Sequence, residues 1–591
     1  MVYPDSLARV AVDDSSFIFG STGDGSASLT INGAPVQVAP NGAWLAWVPF
    51  VGDSVITFAI EARTTTDSAR LVHRVRRAPR FRPANPDGLW VDSTSFAPVG
   101  RIWWPGGEYL PFSVRASEGA SLALLLPGGT RVPLTAGSAA TPVPEGLRAF
   151  DRDTQKLRRP IRADRYRAAV RGATIGDPGP LFGNGGGNGN GVPGQAAVLE
   201  AVRGSDTVRL RWPVRLALLD TVPAMVELDD DRPGRGDTDR ITVGRAAPAG
   251  VYAWFFPAGT VAPVTGRMNG DFRIALGREG AAWVSAADVW LAPGAPLGPA
   301  VVGSVTLSPR EDRVAARIPV GRRIPFRVDE EERALTLVLH GAVSDVNWLR
   351  YGPGDSLVAL ATTRQASADQ LELRFDLSAP VWGYRTRWDG TDLLLDIRRP
   401  PGIDRKAPLR GRTIVVDAGH PPAGSIGPTG LTEAEANLAV ALEVKRLLEG
   451  EGATVLMPRS GPGPVELWPR IRFAEEENAD LLVSIHNNAL PDGVNPFTNN
   501  GSSAFYNHPR ALPLAREILS RLVARIGLRD LGVARGDLAL VRPTWMPATL
   551  IEGLFMMVPE QESALRSEEG RAQYALAVVE GVTNFLRRRG M

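Results

Sequence analysis

The 591-residue sequence predicts a multidomain protein, in which several small all-β modules of the sandwich and SH3-like kinds precede a C-terminal α/β domain. Up to about residue 400, short β-branched and aromatic runs alternate with turns rich in Gly, Asn and Pro, which is typical of sandwiches and small barrels. From Thr413 onward, apolar runs alternate with segments of helical periodicity, which indicates a sheet covered by helices.

The amino-acid composition narrows the classes of function. Cysteine is absent, which excludes disulfides, thiolate metal sites and a cysteine nucleophile, and also fits an oxidising compartment. The 66 Lys and Arg residues are balanced by 64 Asp and Glu residues, so nucleic acid is not expected as the main partner. No apolar run reaches the roughly 18 residues of a membrane span, so no transmembrane segment is expected. The start of the chain lacks the basic and apolar regions of a signal peptide, so the chain is either cytoplasmic or a mature form without its leader.

Residues 1–82 are predicted to form the first β module. The runs ASLTING, AWLAWVPF and SVITFAIEA are separated by Gly-containing turns, and about seven strands at this spacing indicate a small sandwich. The pattern resembles the immunoglobulin-like modules of bacterial surface proteins. Residues 83–220 repeat the pattern with different turns, and we expect a second sandwich module there.

The second module contains the Gly- and Asn-rich run GNGGGNGNGVPG, from Gly183 to Gly194. A phosphate-binding loop would need a Lys followed by Ser or Thr after the glycines, and then a helix. The run has neither feature, so we predict a flexible connecting loop.

Residues 221–300 show short strands and tight turns, and they resemble a bacterial SH3-like barrel. Four aromatic residues either line a groove for peptide or glycan or pack in the core, and we favour the core: Trp254, Phe255, Trp283 and Trp290. The acidic run from Leu228 to Asp239 does not have the spacing of an EF-hand calcium loop, so we predict a solvated turn.

Residues 301–402 form the fourth predicted β unit, with the strand-like runs RVAARIPV, IPFRVDE and ALTLVLHG. Their rhythm is similar to that of AMIN-type modules, which help to hold wall enzymes at the cell wall. His73 and His340 fall in β regions without a nearby metal-ligand partner, so we expect packed or surface histidines.

Residues 411–591 form the predicted α/β domain, which follows a Pro- and Arg-rich connector. TIVVDAGH, TVLMPR, LLVSIHNN and ATLIEGLF are predicted strands. Val440, Val444, Leu447 and Leu448 recur at helical spacing, and Gly450 is the predicted C-cap of that helix. A second helix is predicted to open near Pro513, and a third ends the chain.

Four residues capable of metal binding or proton transfer stand at the ends of these elements. His420, His486 and Glu552 end predicted strands, and Glu433 opens the first helix. A hydrolytic zinc site without cysteine needs two His and one carboxylate, with a further position left for water. Taken singly, each His is more often structural, and Glu433 also suits the positive end of a helix dipole. Together the four residues indicate a metal site at one edge of the sheet.

The motifs VVDAGH, GLTEAEANLAVAL, PRS, LLVSIHNNA and PATLIEGLF occur in this order through the domain. In this arrangement the domain resembles the zinc-dependent N-acetylmuramoyl-L-alanine amidases of the Amidase_3 type. The resemblance implies that His420, Glu433 and His486 bind Zn²⁺ and that Glu552 is the catalytic glutamate. Glu435 is a rival for the ligand role, but its spacing to the family's asparagine is wrong.

The resemblance also implies a function. The expected reaction is hydrolysis, by zinc-activated water, of the amide bond between N-acetylmuramic acid and L-alanine of the stem peptide, with peptidoglycan as the partner. The expected location is periplasmic or extracellular, at the cell wall. The alternatives are a non-catalytic wall-binding or adhesive protein and a zinc amidohydrolase that acts on another amide.

This chain departs from the family at two places. Pro421 and Pro422 replace the usual Gly-Gly after the first His, which stiffens the loop beside it. The link between His486 and Gly501 is short and leaves little room for the inhibitory helix of some relatives, so we expect an open site that needs no activator.

Three further residues have open roles. Asp417 either orients the ligands or supports the strand-end turn. Asn488 either contacts substrate or holds its loop. His508 either lines the groove or lies in a surface loop, which we favour. The residues before the α/β domain are expected to determine where the site acts, and not which reaction it carries out.

Overall fold

All-β modules occupy the first two thirds of the chain and an α/β domain follows, as the sequence predicts. The computed structural model describes residues 2–590 except for 13, 51, 53, 80, 141–142, 144, 153–160, 177–180, 182–194, 220–221, 230–240, 279, 293 and 295–297. The predicted loop at Gly183–Gly194 and most of the acidic run after Leu228 lie outside the described residues. No described helix is both long and apolar enough to cross a membrane.

The first module consists of two sheets that enclose one core. Its strands are β1 Val2–Tyr3, β2 Arg9–Val10, β3 Ser15–Ser21, β4 Ser28–Ile31, β5 Ala34–Val36, β6 Ala43–Pro49, β7 Val55–Arg63 and β8 Ser68–Arg77. One sheet has the order β1-β3-β6 and the other β2-β8-β7-β4-β5. The core between them contains Ile18, Trp44 and Phe58.

The next region forms one continuous hydrogen-bonded sheet of 15 strands. Its elements are β9 Val91–Ala97, β10 Gly100–Trp104, β11 Tyr109–Ala116, β12 Ser121–Leu125, β13 Arg131–Ala140, α1 Glu145–Phe150, β14 Ile161–Arg171, β15 Gln195–Arg203, β16 Asp206–Leu218, β17 Met225–Leu228, β18 Ile241–Arg245, β19 Tyr252–Pro257, β20 Thr260–Met268, β21 Asp271–Leu276, β22 Gly280–Ser285 and β23 Val289–Ala292. The sheet continues across the predicted boundary at 220 because β10 pairs with both β16 and β20. Two separate cores nevertheless occur, one built mainly from residues before 220 together with Trp283, and one built mainly from residues after 220; the boundary itself stays a prediction.

Of the four aromatic residues considered in the third unit, Trp283 is buried, Trp254 and Trp290 are partly buried and Phe255 is exposed. Trp283 is buried and its ring lies 6.5 Å from that of Trp104 in a stacked arrangement. Trp254 packs against the core of its own unit. Phe255 is the most exposed of the four, and the guanidinium of Arg542 in the α/β domain lies 5.3 Å from its ring centre. The prediction of core packing therefore holds for Trp283 and in part for Trp254 and Trp290, but not for Phe255.

The fourth unit folds around a core of its own. Its strands are β24 Ala300–Val302, β25 Val305–Pro309, β26 Arg313–Pro319, β27 Phe326–Glu331, β28 Ala334–His340, β29 Ala342–Ser344, β30 Leu349–Tyr351, β31 Val358–Ser367, β32 Gln370–Leu377, β33 Gly383–Asp389 and β34 Asp392–Arg398. His340 in this unit and His73 in the first are both 4% exposed, so both are packed histidines as expected.

The α/β domain contains one six-stranded sheet in the order β36-β35-β37-β40-β38-β39. Its elements are β35 Thr413–Ala418, α2 Glu433–Gly450, β36 Thr454–Leu456, α3 Leu467–Glu476, β37 Leu481–Asn488, α4 Pro496–Asn499, β38 Ser502–Tyr506, α5 Leu512–Ile526, β39 Asp530–Arg535, β40 Ala548–Phe555, α6 Pro559–Arg566 and α7 Glu568–Arg589. The four neighbouring strands β36, β35, β37 and β40 are parallel. The carboxyl ends of β35, β37 and β40 therefore lie at one edge of the sheet.

The end of α2 corrects one detail of the prediction. The sequence predicts Gly450 as the C-cap, but Gly450 is the last helical residue and Glu451 is the C-cap. The chain turns at Gly452, whose φ is +93°, and the amide of Ala453 then donates to the carbonyl of Leu448. The left-handed position thus falls two residues later, where a side chain would be strained.

Candidate metal centre

His420, Glu433 and His486 lie together at the carboxyl edge of the sheet. One potential ligand atom from each lies within 4.8 Å of the others. Oε1 of Glu433 is 3.2 Å from Nε2 of His420 and 3.2 Å from Nδ1 of His486. The two imidazole rings are nearly perpendicular, with centres 5.0 Å apart. Three residues from separate elements therefore present nitrogen and oxygen atoms to one point.

Glu433 is positioned by the start of α2. The preceding Thr432 is the N-cap, and its hydroxyl accepts a hydrogen bond from the amide of Glu435 in a capping box. The carboxylate of Glu435 in turn accepts from the backbone amide and the hydroxyl of Thr432. The rival ligand Glu435 is thus used by the cap, whereas Glu433 is buried and faces the two histidines.

The other oxygen of Glu433 is held by the loop before the helix. The amide and the hydroxyl of Ser425 donate to Oε2 of Glu433 at 3.0 and 2.9 Å. Asn437, one turn further along α2, donates to Oε1 at 3.3 Å and to the carbonyl of Gly419 at 3.2 Å. These contacts fix the carboxylate in one orientation.

His420 follows β35 in a backbone conformation that a non-glycine residue rarely adopts, with φ at +57°. Its Nδ1 lies 3.2 Å from the carbonyl of Pro422, which leaves Nε2 toward Glu433. Gly419 lies so close to the ring of His486 that a Cβ there would overlap the imidazole. The strained backbone and the obligatory glycine both bring the two histidines together.

His486 and Glu552 stand side by side on the paired strands β37 and β40. The hydroxyl of Tyr574 in α7 donates to the carbonyl of His486 at 2.9 Å. One oxygen of Glu552, Oε2, is buried and has no hydrogen-bond partner among the described residues. A buried polar atom of this kind needs a partner, and a bound group at the centre would supply one.

The site also has a distinct charge distribution. Burial raises the pKa of Glu552 well above its ordinary value, and the nearby carboxylate of Glu433 raises it further. Burial also acts to raise the pKa of Glu433, but hydrogen bonds from His420 and His486 outweigh burial and bring the pKa below its ordinary value. The hydrogen bond to Glu433 raises the pKa of His420. The two carboxyl groups thus have opposite protonation preferences.

A buried arginine supports the first histidine, and sequence reasoning missed it. Arg470 in α3 is 1% exposed and donates to Asp417 at 2.9 Å and to the carbonyls of His420 and Pro421 at 3.1 and 2.8 Å. Asp417 also accepts from the hydroxyl of Ser484 at 2.6 Å. Asp417 therefore holds the strand-end turn through Arg470. The one signal in the sequence is that Arg470 falls on the buried face of its helix, where an arginine needs a buried partner.

Asn487 was also missed. Its amide group donates to Asn437 at 2.8 Å and its carbonyl oxygen accepts from the amide of Leu554 at 3.2 Å, so it joins α2, β37 and β40 behind the site. Its neighbour Asn488 accepts from the amide of Ala489 at 2.8 Å, which agrees with a loop-holding role.

His508 occupies neither of its predicted places. Its Nε2 lies 2.9 Å from the carbonyl of Arg542, and its ring packs edge-on against Tyr384 of the fourth β unit. Burial lowers the pKa of His508 to about 3. The prediction of a surface loop is wrong because the preceding unit covers this histidine.

The residues present fit a divalent metal ion. Two imidazoles and one carboxylate match the ligands that a catalytic zinc takes from protein, and the unpartnered Oε2 of Glu552 stands beside them. Fold and site together define an α/β domain with a group of residues that could hold the metal ion of a hydrolase.

Comparison with known proteins identifies the family. Residues 414–584 match the N-acetylmuramoyl-L-alanine amidase family, Amidase_3. The chain is 33% identical over 190 residues to the uncharacterized protein YqiI of Bacillus subtilis, of which it covers 90%. It is 30% identical over 212 residues to the probable cell wall amidase LytH of Staphylococcus aureus, of which it covers 68%. The chain belongs to the Amidase_3 family.

Other relatives match over the same domain. The N-acetylmuramoyl-L-alanine amidase LytC of Bacillus subtilis is 33% identical over 188 residues, which are 31% of this chain and 37% of LytC. The solved catalytic domain of CwlV, an N-acetylmuramoyl-L-alanine amidase of Bacillus (Paenibacillus) polymyxa var. colistinus, is 29% identical and aligns with a TM-score of 0.28 over 30% of this chain and 98% of that one.

Proposed function

We propose that the protein is a zinc-dependent N-acetylmuramoyl-L-alanine amidase, which hydrolyses the amide bond between N-acetylmuramic acid and L-alanine of the stem peptide in peptidoglycan. The convergence of His420, Glu433 and His486 beside Glu552, in a chain of the Amidase_3 family, is the observation that carries this proposal. No part of the first 410 residues is needed to explain the choice of reaction.

His420, Glu433 and His486 would hold the zinc ion. Zinc at such a site supplies a Lewis acid that polarises the scissile carbonyl and promotes the ionisation of water. The residues around it keep the ligands in place: Ser425 and Asn437 orient Glu433, and Arg470 fixes the backbone of His420. A preorganised ligand set loses less conformational freedom when the ion binds.

Glu552 is the proposed general base and acid. It would accept the proton of the attacking water and deliver it to the leaving amine of L-alanine, the usual role of a carboxylate near a hydrolytic metal. Its place on the strand beside His486, with one unpartnered oxygen, supports this assignment.

We further propose that the enzyme works at the cell wall outside the cytoplasm and needs no activator. The segment between β37 and β38 contains a single helix, α4, of four residues, so it offers no long helix to cover the site. Purified full-length protein should therefore be active alone. Activity that appears after addition of a partner protein, and not before, would contradict this part of the proposal.

The test is digestion of purified peptidoglycan, followed by mass spectrometry of the released material. The expected products are stem peptides with a free L-alanine amine, and their release should stop when zinc is removed by a chelator. Binding to peptidoglycan without any product would favour the non-catalytic wall-binding alternative. Hydrolysis of simple amides without release of stem peptides would favour a different amidohydrolase.

A further inference from the structure

The three-stranded sheet of the first module is buried on both of its faces. Ile18 and Trp44 point into the core of their own module. Their neighbours Phe17, Phe19 and Leu45 are also buried, at 0, 2 and 6% exposure, but belong to a different apolar cluster. An antiparallel sheet at the surface of a module usually keeps one face in water. The second face of this sheet therefore has a partner within the chain.

That partner is the carboxyl edge of the α/β domain. Leu490, Val494, Phe555 and Met557 are buried in the same cluster as Phe19. Polar contacts continue the interface: the hydroxyl of Tyr3 donates to Asp492 at 3.3 Å, and the amide of Gly493 donates to the hydroxyl of Ser16 at 3.0 Å. Residues almost 500 positions apart in sequence thus form one interface that contains both apolar and polar contacts.

A second segment encloses the same loop. Leu147 in α1 is buried in the cluster, and the backbone amide of Arg152 donates to the side chain of Asn499 at 2.9 Å. The loop from Ala489 to Asn500 is therefore held by the first module on one side and by residues of the second region on another.

The held residues follow the candidate site directly. Leu490 stands four positions after His486 on the chain leaving β37, and Phe555 stands three positions after Glu552 at the end of β40. The backbone amide of Met556 donates to the carbonyl of Asn488 at 2.9 Å, so the two strand ends move together. A shift of this interface would be transmitted to both residues over a few covalent bonds.

We propose that the first module is a built-in positioning element, which holds the ends of β37 and β40 in the arrangement that the site requires. Phe19, Leu45 and Ser16 are its positioning residues, and they act through the loop at 489–494. The expected effect on kcat rests on the proposed amidase function, whereas the holding of the two strand ends does not. The first module then influences how fast the site works, while the reaction itself is still determined by the α/β domain.

The experiment compares variants of the full-length protein by hydrogen exchange and by peptidoglycan digestion. Leu45→Ala removes apolar contact on the interface face. Ile18→Ala is the matched control, because it removes a buried side chain of similar size from the opposite face of the same sheet. Ser16→Ala removes only the hydroxyl that accepts from Gly493, so it tests the interface with little risk to folding.

We expect Leu45→Ala and Ser16→Ala to raise the exchange rate of amides at 487–494 at least tenfold, and to lower kcat at least fivefold with a smaller change in KM. Ile18→Ala should change the amide exchange rate and kcat by no more than about twofold. Thermal unfolding of this variant checks that it is folded. Unchanged exchange in both interface variants, or an equal rise in the control, overturns the proposal, as does faster exchange with unchanged kcat. Failure of the wild-type protein to release stem peptides would instead refute the proposed function, and the exchange result would still decide whether the module holds the strand ends.

Discussion

At the scale of single residues, the site combines a carboxylate held ionised with a second carboxyl group whose burial favours the neutral form. Glu433 is surrounded by donors, whereas Glu552 has a buried oxygen without a partner among the described residues. The first arrangement suits a metal ligand, and the second suits a group that exchanges protons with substrate and water. Both residues carry the same carboxyl group, so the difference between their proposed roles comes from the groups that surround each of them.

Glu552→Gln should reduce the release of stem peptides by about 10²–10⁴-fold, because the amide keeps the shape of the side chain but cannot accept the proton. Zinc content, measured by elemental analysis, should stay at the wild-type level, since the ligands are unchanged. Glu443→Gln, at a half-buried position on α2 paired with the exposed Arg446, is the control and should keep full activity. Near-normal activity of Glu552→Gln would show that another group moves the proton.

Gly419→Ala should weaken zinc binding, because the added Cβ would overlap the imidazole of His486 and push it from the ligand set. Zinc affinity measured by competition with a chromogenic chelator should fall at least tenfold. Gly461→Ala is the matched control, since nothing lies within 4 Å of a Cβ there. Equal affinity of the two variants would mean that the ring of His486 is not constrained by Gly419.

At the scale of elements, the edge of the sheet is organised by contacts between secondary structures. The buried pair of Arg470 and Asp417 joins α3 to β35, and the arginine also holds the two carbonyls that follow it. Buried ion pairs of this kind are costly to break, because one removed partner leaves the other charged and unpaired. The turn that carries His420 depends on this junction.

Asp417→Asn should lower the free energy of unfolding of the α/β domain by about 3–5 kcal/mol, since the guanidinium of Arg470 then lies buried without its counter-charge. Urea unfolding followed by tryptophan fluorescence measures the change. Glu476→Gln, which breaks the exposed i,i+4 pair with Arg472, should cost under about 1 kcal/mol. A similar small cost in both variants would show that the buried pair is solvated.

At the scale of the whole molecule, the β modules are packed onto the α/β domain and are not separated from it by free linkers. Glu330 pairs with buried Arg510, Arg398 pairs with Asp480 at 3.1 Å, and Trp382 packs near Phe585 at 6.0 Å between ring centres. These contacts join the fourth unit to the domain, as the Phe19 cluster joins the first. Changes within a module are therefore expected to affect the stability of the assembly.

The stability of the fourth unit should decrease in mild acid because of His340. Burial lowers the pKa of His340 from 6.5 to about 4 in the folded protein. As the pH falls below 6.5, the unfolded chain binds a proton that the folded chain does not bind until about pH 4, so stability present above pH 6.5 is lost through this window. The loss should reach about 2 kcal/mol at pH 5. His340→Leu should reduce the difference in Tm between pH 7.5 and pH 5, and an unchanged difference would contradict this account.

The sequence by itself determined the succession of β modules and α/β domain, the main strands and helices of that domain, and the four residues that meet at its edge. These follow from local periodicity and from residues at element ends, so His420, Glu433, His486 and Glu552 are visible along the chain. It did not determine the pairing of Asp417 with Arg470, the covering of His508, or the second buried face around Phe19. Those three features depend on contacts between segments that are distant in sequence, and no local pattern specifies such contacts. Only the tertiary structure determined which apolar and charged side chains pack or pair with each other.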